Sequence, residues 1–512
     1  MKINKILSII LVCTLVSCSL DYDPVDSYSD VTEGVNDGAT EVIFRDKDAV
    51  VSYRENMMLR YKDGMEHWYV DMLLLAESHS DNAYAGSPNA ETTPFEVNSI
   101  EGSNTNLLRD WNRHMENVAR ANNMIWGIAQ LADPALTDAE RSQYTAEAKI
   151  FRAMVYFDMV RIWGNVPLIT ALAGDITAET IVDVYPDYFP PQSDELTIYQ
   201  QIEKDLLEGL EHAPANNPAN KTLLSKSVAQ ALLAKVYAEK PLRDYDKVIQ
   251  YADALAADGY DLADNYSDLF GVVLRDPAQP PSQSNPAIDA KARNTKETIY
   301  EAQFFPGSGN WATWMFGRAL EDWNFYFEWA KWITPSRDLI KAFNSETGDK
   351  RYAESVVFYS CGWNIYYPAV NYAFMYKCRS AYNSVIKMRY ADILLLKAEA
   401  LIDKNDFAGA AEIINRTRQR AGLRSLPASA TAGKNAILNV YLKERRLELA
   451  FEGQRWFDLV RLDKVEEVMN AVFAKDEGRS AQVYPFNRFS YKLPVPQGVI
   501  DQNPNLVQNP GY

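Results

Sequence analysis

The chain has 512 residues, a formal net charge of −17, four cysteines and four histidines. That length can bury a large core, and the acidity argues against nucleic acid or an anionic membrane as partner. The cysteines and histidines lack metal-ligand spacing, so neither a metal nor another cofactor is expected.

Lys2 and Lys5 precede an apolar run from Ile6 to Val16. The run is too short to span a bilayer as a stable helix and has the shape of a secretory signal over residues 1–17. It ends Leu15-Val16-Ser17-Cys18. Small residues ahead of a cysteine resemble the bacterial lipobox, in which the thiol of Cys18 is acylated. Several acyl chains anchor a protein without any membrane-spanning helix. A plain signal peptide cleaved nearby is the alternative. Residues 18–45 then form a tether, with acids close behind Cys18, and residues 46–512 form a single domain.

Helix pairs are expected over about 46–261. WYVDMLLLAESHSDNAYAGSPN (68–89) is a helix running into a polar loop. Asp81, Asn82 and Tyr84 there supply an acceptor, an amide and an aromatic ring; a solvated turn with Asx caps is the bland alternative. Residues 104–163 read as a helical hairpin. Thr137 and Glu140 form a capping box that opens its second helix, and Gly164-Asn165-Val166-Pro167 ends it. Two further helices follow, TIYQQIEKDLLEGLEH and SKSVAQALLAKVYAEK, and Ala234, Tyr237, Val248 and Ala252 have the spacing of a tetratricopeptide-like pair.

Between about 262 and 387 the helical period fails. Asp-Pro, Gln-Pro-Pro, Asn-Pro and Gly-Ser-Gly-Asn punctuate the segment as loop. ETIYEAQFF (297–305) and SVVFYSCG (355–362) have the β-branched and aromatic content of short strands. Trp311, Trp314, Trp323, Trp329 and Trp332 are five of the chain's 11 tryptophans. Flat indole faces match the C–H faces of sugar rings, whereas large aromatics elsewhere are core anchors. Trp311 and Trp314 follow a flexible Gly-Ser-Gly-Asn loop and are read as facing a ligand, with Trp323 and Trp363 as further candidates. Trp329 and Trp332, at helical spacing before a proline, are read as core. Cys361 and Cys378 either pair as a disulfide or stay as two buried thiols.

Helix pairs resume over about 388–462. Leu394, Ala398, Leu401, Ala410 and Ile414 fit a second tetratricopeptide-like pair, in which small residues let two helices approach closely. YLKERRLELAFEGQRWFDLVR (441–461) reads as one amphipathic helix. Glu444, Glu448 and Glu452 would stack on one face of it, with Arg445, Arg446, Arg455 and Arg461 near enough to neutralise them. In the tail, 484–512, Pro494, Pro496, Pro504 and Pro510 favour extended, docked chain over helix. No nucleophile elbow, phosphate loop, HExxH or dinucleotide fingerprint is present, so an enzyme is not expected.

Three segments carry a resemblance: AEAKIFRAMVYFDMVRIWGNVPL (146–168), ERRLELAFEGQRWFDLVR (444–461) and LPVPQGVIDQNPNLVQNPGY (493–512). Together they resemble the SusD/RagB family of outer-membrane nutrient-binding lipoproteins. The resemblance implies a mainly α fold of stacked tetratricopeptide-like helix pairs, with the loop-rich, strand-containing insertion as ligand-binding region. It implies an oligosaccharide ligand, supported from the early loop by Asp81, Asn82 and Tyr84. It also implies a TonB-dependent SusC-like transporter as partner, over which the chain closes as a lid on the cell surface. Some members, like RagB, carry peptides, so that alternative stays open. A helical glycoside hydrolase and a tetratricopeptide scaffold for outer-membrane assembly are the readings outside the family.

Overall fold

The computed structural model describes residues 44–174, 177–282, 284–307, 310, 312–315 (of 314 and 315 the backbone) and 332–512. Cys18 and the segment around it lie outside these. The fold is mainly helical. The longer helices are α1 (Lys47–Asp63), α2 (Thr105–Gln130), α3 (Asp138–Trp163), α4 (Glu195–His212), α5 (Lys226–Ala238) and α6 (Tyr245–Ala257). The irregular block contains α7 (Arg337–Asn344), after which come α8 (Tyr390–Asp403), α9 (Phe407–Arg420) and α10 (Lys434–Glu448). Apart from α7, each packs on the next, α6 directly on α8, so the insertion leaves the row unbroken.

Sequence chemistry explains the row. Thr137 and Glu140 form the reciprocal cap that starts α3, and Gly164 ends it at φ +75°. Ala234, Ala252, Ala398 and Ala410 are fully buried between helices. Gly209 serves the same purpose on α4. A Cβ there would lie 2.6 Å from Ile150 Cγ1 on α3, closer than side chains tolerate.

The irregular block carries the two expected strands and more. With β1 (Ala83–Ala85), β2 (Thr298–Ala302), β3 (Ile333–Pro335), β4 (Val356–Tyr359), β5 (Tyr372–Met375) and β6 (Val385–Arg389), antiparallel pairs include β1–β3, β2–β6 and β4–β5. Cys361 and Cys378 are both buried thiols, not a disulfide. The β4–β5 register gives the reason. Tyr359 pairs with Tyr372 and Val356 with Met375, so the two cysteines emerge from opposite ends of the hairpin, too far apart for a bridge. Cys361 Sγ donates to the Trp363 carbonyl at 3.3 Å, and Cys378 Sγ lies 2.9 Å from Tyr69 Oη.

The 441–461 segment is not one helix. α10 stops at Glu448, Phe451 and Gly453 turn the chain at φ +63° and +72°, and α11 (Arg455–Arg461) follows. The break separates the charges differently from the local expectation. Glu448 faces Arg351, Arg389 and Arg420 from other elements, and Glu452 faces Arg389 and Lys377. Arg351 Nη1 also donates to Glu444 Oε1 at 2.6 Å. Conversely, Arg445 bonds Asp392 and Asp458, Arg461 bonds Glu399, and Arg446 and Arg455 both reach Asp81. The tail docks as expected, Leu493 N donating to Ile162 O at 2.8 Å and Asn509 Nδ2 to Trp163 O at 2.8 Å. Its prolines bracket rather than forbid helix, because Gln497–Gln502 form one short helix after Pro496. No described helix is long and apolar enough to cross a membrane.

Candidate functional site

The tryptophan-rich segment is held at both ends by the scaffold. At its start Asn310 is buried, and its Nδ2 donates to Asn383 O at 3.4 Å. Its Oδ1 accepts from Ala312 N at 3.0 Å and opens the short helix Ala312–Met315. At its end Gly86 N donates to Trp332 O at 2.9 Å, continuing the β1–β3 pairing. Trp311, Trp323 and Trp329 lie outside the described residues; of Trp314 only the backbone, within that short helix, is described. Trp363 is half-buried, edge-on to Tyr372 at 5.8 Å and Phe374 at 6.1 Å.

Asp81, Asn82 and Tyr84 belong to the interior, not to a ligand face. Asp81 Oδ1 and Oδ2 accept from Arg455 Nε and Nη2 at 2.7 and 2.9 Å. Burial pushes this carboxyl up, but Arg446 and Arg455 together hold it below the usual carboxylate range. Asn82 donates to Glu77 Oε2 at 2.7 Å and accepts from Arg446 Nε at 2.8 Å. Burial drives the Glu77 carboxyl up to about 7, against the hydrogen bonds from Asn82 and Gly453 that favour its charge. Tyr84 donates to Asp476 at 2.9 Å, accepts from Arg337 N at 2.8 Å and stacks on Tyr366 at 4.6 Å. These three residues peg the early loop onto the scaffold. The polar letters that suggested a wet loop are instead the partners of buried arginines.

Trp332, read from the sequence as core, sits where the described chain resumes, beside Arg109, which the sequence did not single out. Trp332 packs on the core yet stays half-exposed, and the Arg109 guanidinium lies 5.9 Å from its ring centroid. Arg109 Nη2 also donates to Asn106 Oδ1 at 3.2 Å and to Asp71. Asp71 lies between two π-helical turns, Glu66–Val70 and Leu74–Ser78. It faces Asp110, and both are buried. Burial raises both carboxyls, and the charge of Asp71 beside it opposes ionisation of Asp110 further. The signal was available. Asn106, Asp110, His114 and Asn117 form a polar stripe on the buried face of α2, which an amphipathic reading passes over.

That pair makes a testable prediction. Its stability is complete below the ordinary aspartate value and is lost as pH rises through the raised folded value. Asp110→Asn is neutral at every pH. It is expected to leave unfolding near pH 4 unchanged and to raise stability at pH 8. Urea unfolding at the two pH values reads the difference.

Chemically the site offers aromatic faces and fixed polar groups. Asp71 and Asp110 are both buried in the interior rather than placed across an open cleft, which is not the arrangement of the separated acid–base pair that hydrolysis needs. A cleft of about 380 Å³ opens on the outer side of Arg337, lined also by Lys341, Lys475 and Glu477.

Two family models match the chain. One, described as "SusD family", covers residues 322–512, and the other, "Starch-binding associating with outer membrane", covers residues 36–238. The chain belongs to the SusD/RagB family. A full-length relative is SusD-like protein P2 of Formosa agariphila, 26% identical across 100% of both chains. Among SusD-like solved structures, a "Laminarin binding SusD-like protein" is 23% identical with a TM-score of 0.65, covering 90% of this chain and 99% of that one. Surface glycan-binding protein A from Bacteroides fluxus is 21% identical with a TM-score of 0.70, over 91% and 99%. Within this SusD/RagB chain the 322–512 match takes in the second half of the irregular block, and β1–β3 joins the two matched regions.

Proposed function

We propose that this chain captures oligosaccharide at the cell surface, anchored through lipid on Cys18, and passes it to a TonB-dependent SusC-like transporter. It binds and does not cleave. The observation that carries the reading is the crowding of five tryptophans into residues 311–332, on a segment tied to the scaffold by Asn310 and Trp332. Loops on a rigid scaffold are where binding sites usually sit. The family description and the names of the laminarin-binding and glycan-binding neighbours agree with a glycan ligand.

Trp311 and Trp314 lead the platform in this proposal, with Trp323 and Trp363 beside them, and Trp332 with Arg109 at its inner edge. Removing one stacking ring is expected to weaken glycan binding by about 1–3 kcal/mol, the scale of aromatic stacking on a flat ligand. Trp311→Ala and Trp314→Ala should therefore lose affinity while keeping their melting temperature. Calorimetry and thermal unfolding on the same preparations check this. Normal binding by both variants would move the platform elsewhere.

A further inference from the structure

The cleft beside Arg337 holds a fixed cation without a counter-charge. Arg337 opens α7 directly after β3, and its backbone N donates to Tyr84 Oη at 2.8 Å. Its guanidinium lies over the Tyr367 ring at 4.5 Å. Nη1 donates to Tyr84 Oη at 3.4 Å, and Nη2 donates to the Tyr366 carbonyl. Gly478 lets the group lie against backbone, because a Cβ there would fall 1.8 Å from Nη1. The carboxylates around it are engaged elsewhere. Asp338 pairs with Arg446 and Lys475, and Asp476 accepts from Tyr84 and from Gly478 N. Among the described residues Arg337 therefore forms no ion pair. A guanidinium fork held in place before any ligand arrives loses little freedom on binding one.

The space in front of it suits a small ligand. The cleft has a volume of about 380 Å³, within the range of small-molecule sites. Lys341 and Lys475 line it with exposed side chains, so three cations gather at one cleft of a chain whose net charge is −17. Among the described residues Lys341 has no ion pair either. Glu477, also exposed, adds one acceptor. β3 runs from Trp332 to Arg337, so the two lie at most about 18 Å apart, a span that one oligosaccharide can cover.

We infer that this cleft binds the anionic group of an acidic sugar unit, a uronate carboxylate or a sulfate ester, so that the captured glycan is an acidic one. The inference rests on the uptake reading and names its substrate class. Arg337 matches two oxygens of such a group with its planar fork, and Lys341 adds a point charge. Glu477 decides against free phosphate. A dianion would sit against its carboxylate, whereas a sugar with one negative group also presents hydroxyls that donate to it. A neutral glycan would leave Arg337 and Lys341 without a counter-charge. At physiological salt the chain's distant acids are screened over about 8 Å, so the charges lining the cleft decide.

Calorimetry of the purified chain tests this with three sets of oligosaccharides. Malto-, xylo- and laminari-oligosaccharides form the neutral set, oligogalacturonate and oligomannuronate the carboxylate set, and sulfated galactan fragments the sulfate set. At least one acidic member should bind about tenfold or more tighter than any neutral one, and its affinity should fall as salt is raised. The set to which it belongs tells carboxylate from sulfate. Arg337→Gln should weaken that binding about tenfold or more, and Lys341→Gln about two- to fivefold. Lys341→Gln removes no packed group, so it reads the cleft at an unchanged melting temperature even where Arg337→Gln disturbs Tyr84 and Tyr367. Binding confined to neutral members would overturn this inference and leave the uptake reading standing. So would acidic binding indifferent to salt and to both variants, or inorganic phosphate binding tighter than every acidic sugar. Binding to no member of any set would overturn both.

Discussion

Glu448→Gln is expected to cost about 3–5 kcal/mol of folding stability, because it leaves buried guanidinium groups without their counter-charge. Glu448 is fully buried at the centre of Arg351, Arg389 and Arg420. Burial pushes its carboxyl up, and Arg420, Arg389 and Arg351 outweigh that and hold it below the usual range. Glu399 is likewise lowered to about 2, burial opposing and Arg461 prevailing. Carboxyls whose folded values are depressed stabilise the protein above their unfolded values, and that contribution is lost as pH falls through the folded ones. Stability should therefore hold near pH 5 and decline steeply from about pH 4 towards pH 2. In contrast, Asp463→Asn, which breaks the exposed pair with Lys240, should change unfolding little. Thermal unfolding of Glu448→Gln within a degree of the unaltered chain would contradict the account of this network.

Asp81→Ala is expected to damage stability, not recognition. The change removes the carboxylate that accepts from Arg455 at 2.7 and 2.9 Å and that faces Arg446 at 3.2 Å. Breaking a buried ion pair from one side costs about 3–5 kcal/mol. Urea unfolding should show that loss. Glycan affinity per folded molecule should stay near that of the unaltered chain. Lost affinity with unchanged unfolding would return Asp81 to the ligand face.

The contrast between these residues shows what is legible in a sequence. Helix pairs are local, and their signals are local too. Ala234, Ala252, Ala398 and Ala410 announced close helix approach, and all are fully buried. The Thr137–Glu140 cap needed only four consecutive residues. Charge pairing is not local. Glu448 sits three residues from Arg445, yet its partners come from positions 351, 389 and 420. Asp81 read as loop because its arginines lie more than 360 positions away. Sequence separation also hid the Arg109–Trp332 contact, while the break after Glu448 depended on left-handed backbone at Phe451, a residue type that rarely signals it. The tryptophan segment was legible as composition, and its anchors at Asn310 and Gly86 became visible only in three dimensions.

The most direct test of glycan capture is calorimetry of the purified chain against a panel of oligosaccharides, with reducing ends assayed in the same samples. The account predicts saturable binding to at least one glycan with Kd of roughly 10 µM to 1 mM, about −4 to −7 kcal/mol, and no release of reducing ends. Release of reducing ends would make the protein a hydrolase, and binding of peptides with no glycan bound at all would contradict the central claim.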